Sequence, residues 1–403
     1  MRISTQSFFE QSQSAMGSQQ LQLFRIQQKV ATGRNFLTPS DDPVGAARAL
    51  NVSQALAEGS QYASSRSQAM ALLSREEDAL KGAATVLQNV KTLTVQAGNG
   101  TLSDADRASL ATTIQSSLDQ LVALANSDDG NGQFLFAGYK SGSAPFAAQA
   151  GGGYQYVGDQ GQRLMQVDVA RQMSATDDGR SVFQSVQGSA GYVASASAAN
   201  TGTGVFGAVS VTDATAANFG KDFSISFAGG NYTVSTQDTP PAVVASGAFS
   251  AGTPISFGGL QISITGAPAD GDVMDVSTAS NAGTDIFAAM GELVSALKKP
   301  LTGGGASAQA ELLNALSTAN VKLTNAHDNV LTIRSSVGSR MNELDALNAG
   351  GAARQLMDKS HLSEIEDLDY YAALSEFTQR QTALQAAQQT FASLGGIALF
   401  KYL

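Results

Sequence analysis

Cysteine and tryptophan are absent from this 403-residue chain, and histidine occurs only twice. The absence of cysteine excludes disulfides, thiolate metal sites and cysteine nucleophiles. His327 and His361 lack the paired spacing that zinc sites use, so we expect no metal and no other cofactor. No G-x-S-x-G segment supplies the nucleophile of a serine triad. These absences argue against an enzyme.

Positive charge and long apolar runs are also scarce. The 24 Lys and Arg are outnumbered by 34 Asp and Glu, which gives a net charge of −10. We therefore expect no attraction to nucleic acid or to an anionic membrane. The sequence contains no run of about 18 apolar residues, so we expect no transmembrane helix. Residues 1–18 lack a basic stretch followed by an apolar core, so we expect either cytosolic residence or export without a cleaved signal.

Basic residues nearly disappear in the middle of the chain. Residues 186–283 contain one basic side chain, Lys221, against six aspartates, and this composition shift predicts a separate domain. Short alternating apolar runs there, such as Phe223 to Phe227 and Leu260 to Ile264, indicate a small all-β domain. Gly229-Gly230-Asn231 is typical of a hairpin turn.

Both ends of the chain, in contrast, carry long helical patterns with apolar residues three and four positions apart. This spacing keeps one stripe facing a partner helix, and we call that stripe the seam. Polar residues at Ser12, Gln19, Gln381 and Gln388 interrupt it, so we expect the terminal helices to become ordered on assembly. The apolar seam positions, our candidate assembly residues, are Phe9, Met16, Leu23, Ile26, Val30, Tyr370, Leu374, Phe377, Leu384 and Phe391.

Helix boundaries can also be predicted. Gly33 should end the first helix, and Ser40, Asp41, Asp42 and Pro43 form a helix-break and capping motif before a second helix that runs to about residue 97. Ser103 and Asp106 should cap a third helix that ends before Asp128. From 133 to 183 the runs 134–136, 154–157 and 164–169 predict short strands.

Helix should return at Asp285 and continue along a second seam from Leu316 to Leu344. The long helices before and after the β domain are natural antiparallel partners. The predicted fold is therefore mainly α with a β insertion: a long antiparallel helical rod from both termini, a hairpin region and a small all-β outer domain.

Two further patterns suggest chemistry but have simpler interpretations. Gly202-Thr203-Gly204-Val205-Phe206-Gly207 matches G-x-G-x-x-G, yet it lacks the strand before it and the helix after it that a dinucleotide site needs. The aspartate pairs at 41–42, 128–129 and 177–178 lie at chain breaks, where carboxylates form turns and helix caps.

Five segments in this order resemble the flagellin superfamily. They are Thr32-Gly33-Arg34 with the Pro39 to Pro43 motif and Ala46 to Ala49; Ala125-Asn126 with Phe134 to Gly138; Val337 to Asn342; Ser363 to Asp369, which should open the C-terminal helix; and Leu399-Phe400-Lys401-Tyr402-Leu403. The Pro-Ser-Asp-Asp-Pro segment is similar to the corresponding segment of the family members found at the hook–filament junction. The closing pentapeptide adds Leu399, Phe400 and Leu403 to the assembly residues.

The resemblance implies a structural protein of the bacterial flagellum that is exported unfolded by a type III channel and lies outside the cell. Its implied partners are further copies in a ring, another hook-associated protein, flagellin, and a cytosolic export chaperone at the C-terminal region. We expect terminal helices at 1–42 and 363–403, a helical rod with hairpins at 43–185 and 284–362, and an outer β domain at 186–283.

Two alternatives stay open at this point. Filament flagellin would have the same architecture at a different position in the stack. A secreted glycan-binding or enzymatic β domain is the other alternative, although it would need carboxylates and aromatic rings gathered in a cleft.

Overall fold

A computed structural model of the chain describes residues 5–150 and 153–395, without the side chains of residues 5, 6, 8, 9, 394 and 395. Its internal contacts divide the chain into two compact units. We call residues 1–64 together with 346–403 the terminal unit, and residues 65–345 the central unit.

Helices flank a middle region that is rich in short strands. The predicted class, mainly α with a β insertion, is confirmed. The helices are α1 (Thr5–Thr32), α2 (Pro43–Ala97), α3 (Asp104–Ala125), α4 (Gly179–Phe183), α5 (Ile286–Lys298), α6 (Gly305–Glu366) and α7 (Tyr370–Gly395). The strands are β1 (Phe146–Ala148), β2 (Tyr154–Tyr156), β3 (Leu164–Asp168), β4 (Arg171–Ser174), β5 (Tyr192–Ala196), β6 (Val205–Phe206), β7 (Ser210–Val211), β8 (Phe223–Ala228), β9 (Asn231–Thr236), β10 (Val243–Ala248), β11 (Pro254–Phe257), β12 (Leu260–Thr265) and β13 (Val273–Thr278).

The predicted helix boundaries are confirmed where local chemistry fixes them. α1 ends one residue before Gly33, whose φ of 71° places it in the left-handed region that glycine tolerates. α2 begins at Pro43, since proline suits the first helical position. Ser103 and Asp106 form a capping box at the start of α3, each side chain accepting a backbone N–H from the other residue.

Within the central unit, α2 and α6 run antiparallel. The Arg334 guanidinium of α6 donates to Glu77 of α2, with Nε 3.0 Å from Oε1. Gly100, just beyond α2, lies against Gln309 near the start of α6. α3 packs along α5. Apolar side chains at helical spacing form the buried core, including Leu73, Leu80, Leu87, Ile114, Leu121, Leu293, Leu323, Val330 and Val337.

The strand predicted at 134–136 is wrong. Phe134 makes only an isolated bridge to Asp128, and the residues after it form turns. Leu135 and Phe136 are fully buried, and the Phe136 carbonyl accepts the Gly179 amide at 2.8 Å and the Tyr156 hydroxyl at 3.0 Å. The apolar run therefore fills the core as a compact turn, since its backbone groups bond to distant segments rather than to a neighbouring strand.

The return of helix at Asp285 is confirmed, but that helix is not continuous with the long one. Asp285 caps α5 by accepting the Phe287 and Ala288 amides at 2.8 and 3.1 Å. α5 ends at Lys298, and the following Pro300 removes a backbone donor and disfavours helix in the residue before it. The 62-residue α6 starts only at Gly305.

The C-terminal helix likewise starts later than predicted. Ser363 to Glu366 complete α6, and the chain breaks at 367–369 before α7. The Asp369 carboxylate accepts the Tyr371 and Ala372 amides at 3.0 and 3.1 Å. Asp369 is therefore the N-cap of α7, whereas Glu364 and Glu366 lie in the last turn of α6.

Two antiparallel sheets form the β insertion, residues 192–278. One has the strand order β10-β9-β8-β13-β5, and the other has β11-β12-β6, with β7 also paired to β12. The predicted Gly229-Gly230 turn joins β8 to β9, with φ of 57° and 75° at the two glycines. Alternate residues form a shared core that includes Phe206, Phe223, Ile225, Phe227, Val234, Phe257, Leu260, Ile262 and Val276.

The insertion is fastened to α6 by two polar side chains of the central unit. Buried Asn314 accepts the Phe206 amide at 3.1 Å and donates to the Gly204 carbonyl at 2.9 Å. The Thr318 hydroxyl donates to the Ala194 carbonyl at 2.7 Å.

The G-x-G-x-x-G segment has a packing role in this insertion. A Cβ on Gly202 would lie 2.3 Å from the Ala269 amide nitrogen, so no larger residue fits without displacement of the backbone. Buried Asp272 accepts the amides of Thr201, Gly202 and Ala269 at 2.8, 3.0 and 2.9 Å. The glycine-rich loop is therefore wrapped around a carboxylate of the protein itself.

We predict that Asp272→Ala destabilises the β insertion by roughly 3 kcal/mol, because three partly buried amides lose their acceptor, and one fully buried amide left unpaired costs about 1–3 kcal/mol. Urea unfolding followed by tyrosine fluorescence measures this, since Tyr192 and Tyr232 pack on the core. Asp213→Ala is the control: it removes an exposed carboxylate that bonds only to Thr215. Equal losses in the two variants would contradict the assignment.

Candidate assembly surface

α1 and α7 pair in the terminal unit and run antiparallel. Arg380 of α7 donates to the Gln22 side chain in the middle of α1. At the other end of the pair, a Cβ built on Gly33 would lie 3.0 Å from the Tyr370 hydroxyl at the start of α7. The chain's two ends therefore fold against each other, as their helical patterns predict.

A short backbone clasp aligns the start of α7 with the end of α1. The Asn35 amide donates to the Glu366 carbonyl at 2.7 Å, and the Leu368 amide donates to the Gly33 carbonyl at 2.9 Å. These bonds flank a bridge between Arg34 and Asp367. Because the clasp uses main-chain groups on both sides, it fixes the register of the two helices.

The Ser40-Asp41-Asp42-Pro43 motif stabilises the turn into α2. Asp41 Oδ2 accepts the Leu37 and Thr38 amides at 3.1 and 3.0 Å, and these bonds lower the pKa of its carboxyl group. Asp42 Oδ1 accepts the Gly45 amide at 2.9 Å in the first turn of the helix. Ser40 shares a 2.8 Å hydrogen bond with the Thr38 hydroxyl. The motif is a cap, and its carboxylates are engaged locally.

Most predicted seam residues of α1 lie on its less exposed stripe. Ile26 is buried, and Met16, Leu23 and Val30 are half-buried. Phe9 belongs to α1, but its side chain lies outside the described residues. On α7 the half-buried members are Phe377, Leu384 and Phe391.

The less exposed stripe of α7 differs in part from the predicted seam. It includes Ala373, Arg380 and Ala387, whereas the seam places Leu374, Gln381 and Gln388 at those turns. Tyr370 and Leu374 are consequently 52% and 50% exposed. Leu399, Phe400 and Leu403 lie outside the described residues.

The terminal unit leaves many of its large apolar side chains in solvent. Its buried apolar residues, among those described, are only Ile26, Ala49 and Ala373. Leu21 is 67% exposed and Tyr371 is 88% exposed. The exposed set is Leu21, Phe24, Val44, Leu50, Leu356, Met357, Tyr370, Tyr371 and Leu374.

Sequence reasoning missed most of this exposed set. Leu21 and Phe24 flank the seam position Leu23 in sequence, which places them around the helix from the stripe that faces α7. The presence of apolar residues outside the seam was the sequence signal that could have identified the exposed set. A helix with apolar side chains on more than one face needs more than one partner.

The described residues show no cluster of side chains suited to metal binding. No group of three His, Asp or Glu side chains there could hold a metal ion. The six aspartates of the β insertion each accept a hydrogen bond inside it, as Asp270 does from the Gly229 amide and Asp238 from Lys221. None of the helices in the described part of the chain is long and apolar enough to cross a membrane.

Comparison with known proteins identifies the family. The profile of the bacterial flagellin N-terminal helical region matches residues 3–141, and that of the bacterial flagellin C-terminal helical region matches residues 321–403. These matches cover α1 to α3 and much of α6 with α7.

The chain is 31% identical to flagellar hook-associated protein 3 of Escherichia coli (strain K12) and 32% identical to that of Salmonella typhimurium (strain LT2). Each alignment covers 100% of this chain and 99% of the relative. A crystal structure of Xanthomonas campestris FlgL (space group C2) superposes with a TM-score of 0.69 at 30% identity, over 77% of this chain and 99% of that one. The predicted resemblance is thereby confirmed, and the chain belongs to the flagellar hook-associated protein 3 (FlgL) family of flagellar structural proteins.

Proposed function

We propose that this protein is a structural subunit of the junction between the flagellar hook and the filament. It forms a ring of identical copies, with another hook-associated protein on the hook side and flagellin on the filament side. The observation that carries the proposal is the exposed apolar set of the terminal unit. Full-length similarity to hook-associated proteins, rather than to filament flagellin, supports the position in the stack.

The free energy of burying apolar side chains favours contact between the exposed set and neighbouring subunits. Burying one large apolar side chain contributes about 1.5–3 kcal/mol. The unit has three buried apolar residues among those described, so its own core cannot offset the conformational entropy of two long terminal helices. Contacts between copies and with the adjoining flagellar proteins supply the missing burial.

Marginal terminal helices also suit export in an unfolded state. Gln19 lies on the α1 seam, and its Oε1 is buried without a hydrogen-bond partner among the described residues. An unpaired buried acceptor weakens the isolated helix pair. We infer that the subunit travels unfolded through a type III channel, with a chaperone on its C-terminal region, and becomes fully ordered outside the cell.

Substitutions in the exposed set test the proposed role in assembly. Leu21→Ser together with Phe24→Ser should leave the central unit folded and reduce the number of cells with filaments at least tenfold, because two buried contacts between subunits are lost. Electron microscopy of a null strain carrying the variant measures this. Val211→Ser with Val243→Ser, two exposed residues of the β insertion, is the matched control. A normal filament count in the first variant would overturn the proposal.

A second prediction concerns dynamics. In the purified monomer, amides of residues 5–32 and 370–393 should exchange hydrogen much faster than those of the α2 core around Leu73 to Leu87, because few buried contacts protect them. In isolated junctions the same terminal amides should become protected. Slow exchange throughout both terminal segments of the monomer contradicts folding on assembly.

A further inference from the structure

A carboxyl group is buried in the central unit away from the assembly surface. Glu76 of α2 has no solvent exposure. Its Oε1 accepts the Asp177 amide at 3.1 Å, and its Oε2 has no hydrogen-bond partner among the described residues. An ionised carboxylate with one oxygen unpaired is costly in such an environment.

Two other charged groups face Glu76. Asp177 lies in the segment between β4 and α4, and Arg340 lies on α6. The Arg340 guanidinium pairs with the Asp177 carboxylate through Nη2 and donates from Nη1 to the Ser174 carbonyl at 3.1 Å. One guanidinium therefore stands against two carboxyl groups. Its Nη2 pairs with Asp177, whereas its buried Nε has no hydrogen-bond partner among the described residues.

Neighbouring charges on the same elements have partners elsewhere. On α2, Glu77 is bound by Arg334 of α6, and the Arg75 guanidinium lies against Gly130. Beside Asp177, the carboxylate of Asp178 accepts the Ser181 amide at 3.0 Å as the cap of α4. Arg340 is therefore the cation that acts on Glu76 most directly.

Protonation resolves the imbalance. Burial raises the pKa of Glu76 well above its ordinary value of 4.5, and the Asp177 carboxylate raises it further, whereas Arg340 acts in the opposite direction. One proton leaves a single negative charge for Arg340. It also lets Glu76 donate a hydrogen bond to the neighbouring Asp177 carboxylate.

We propose that Glu76 and Asp177 form a proton-binding pair, which takes up one proton when the central unit folds and holds α2, the segment 174–178 and α6 together while the proton is bound. The ligand is H⁺ itself, shared between two carboxyl groups at a single guanidinium. Loss of this proton in alkaline solution leaves the buried Glu76 charge beside the half-buried Asp177 charge and loosens the attachment of that segment.

The direction of the pH dependence follows from linkage. Since the folded pKa of Glu76 lies above the unfolded one, the folded chain binds more protons between these two values. Stability is then greatest below the ordinary pKa of 4.5 as far as this group is concerned, and it falls as pH rises through the folded pKa. Within that window the unfolding equilibrium constant rises about tenfold per pH unit.

The test compares urea unfolding of the full chain from pH 5 to pH 9 with that of Glu76→Gln. Glutamine keeps the acceptor for the Asp177 amide and supplies a permanent donor in place of the proton. The variant should lose up to one proton's worth of pH slope and be more stable than the wild type at high pH. Glu77→Gln, which breaks the pair with Arg334, should be less stable and keep the wild-type slope.

Infrared spectra of the folded chain, recorded from pH 5 to pH 9, give a second measurement that needs no folding equilibrium. As pH rises, a protonated carboxyl band should persist further in the wild type and in Glu77→Gln than in Glu76→Gln. Both results support the proton-binding pair. An unchanged pH slope in Glu76→Gln, or no difference between the infrared spectra of wild type and Glu76→Gln, overturns it.

Discussion

Two paired helices can cover only the faces that they turn toward each other, and this limit governs the terminal unit. α1 and α7 each use one stripe for the pair, which leaves Leu21 and Phe24 on one helix and Tyr371 and Leu374 on the other in solvent. No rotation of the pair covers both sets of side chains. Their burial needs a further protein surface, which is why we assign assembly to this unit.

The central unit has the opposite balance. Phe136, Phe183 and Phe287 are fully buried, and the centre of the Phe183 ring lies 5.4 Å from that of Phe136 and 5.8 Å from that of Phe287. The β insertion has its own core and is tied to α6 through Asn314. A unit with this much internal burial can fold before assembly, whereas we propose that the terminal unit gains most of its stability from neighbours.

Local chemistry explains which parts of the fold the sequence predicts. Gly33, Pro43 and the pair Ser103 and Asp106 act within one helical turn, so their helix boundaries were correct. The apolar run at 134–136 resembles a strand because buried strands and buried turns can have the same apolar composition. The hydrogen bonds of Phe136 with the distant residues Gly179 and Tyr156 decide that it is a turn.

The stripe along which α1 and α7 pair was predicted only in part. Heptad spacing identified Leu23 and Ile26, since the period of the helix is written in the sequence. It did not reveal that the α7 stripe passes through Ala373 instead of Leu374, because the clasp between residues 33–35 and 366–368 sets that rotation. The spacing of residues in the sequence also could not show that Glu76 is fully buried near Asp177 and Arg340 in the folded chain.

Assembly should cover the exposed apolar set of the terminal unit. The chain lacks cysteine, so single cysteines at Leu21, Leu356 and Tyr371 can be labelled with a maleimide without background. We predict rapid labelling of all three in the monomer and at least tenfold slower labelling in isolated hook–filament junctions, while a cysteine at Val243 reacts at the same rate in both. Equal labelling of the three terminal positions before and after assembly would contradict the account.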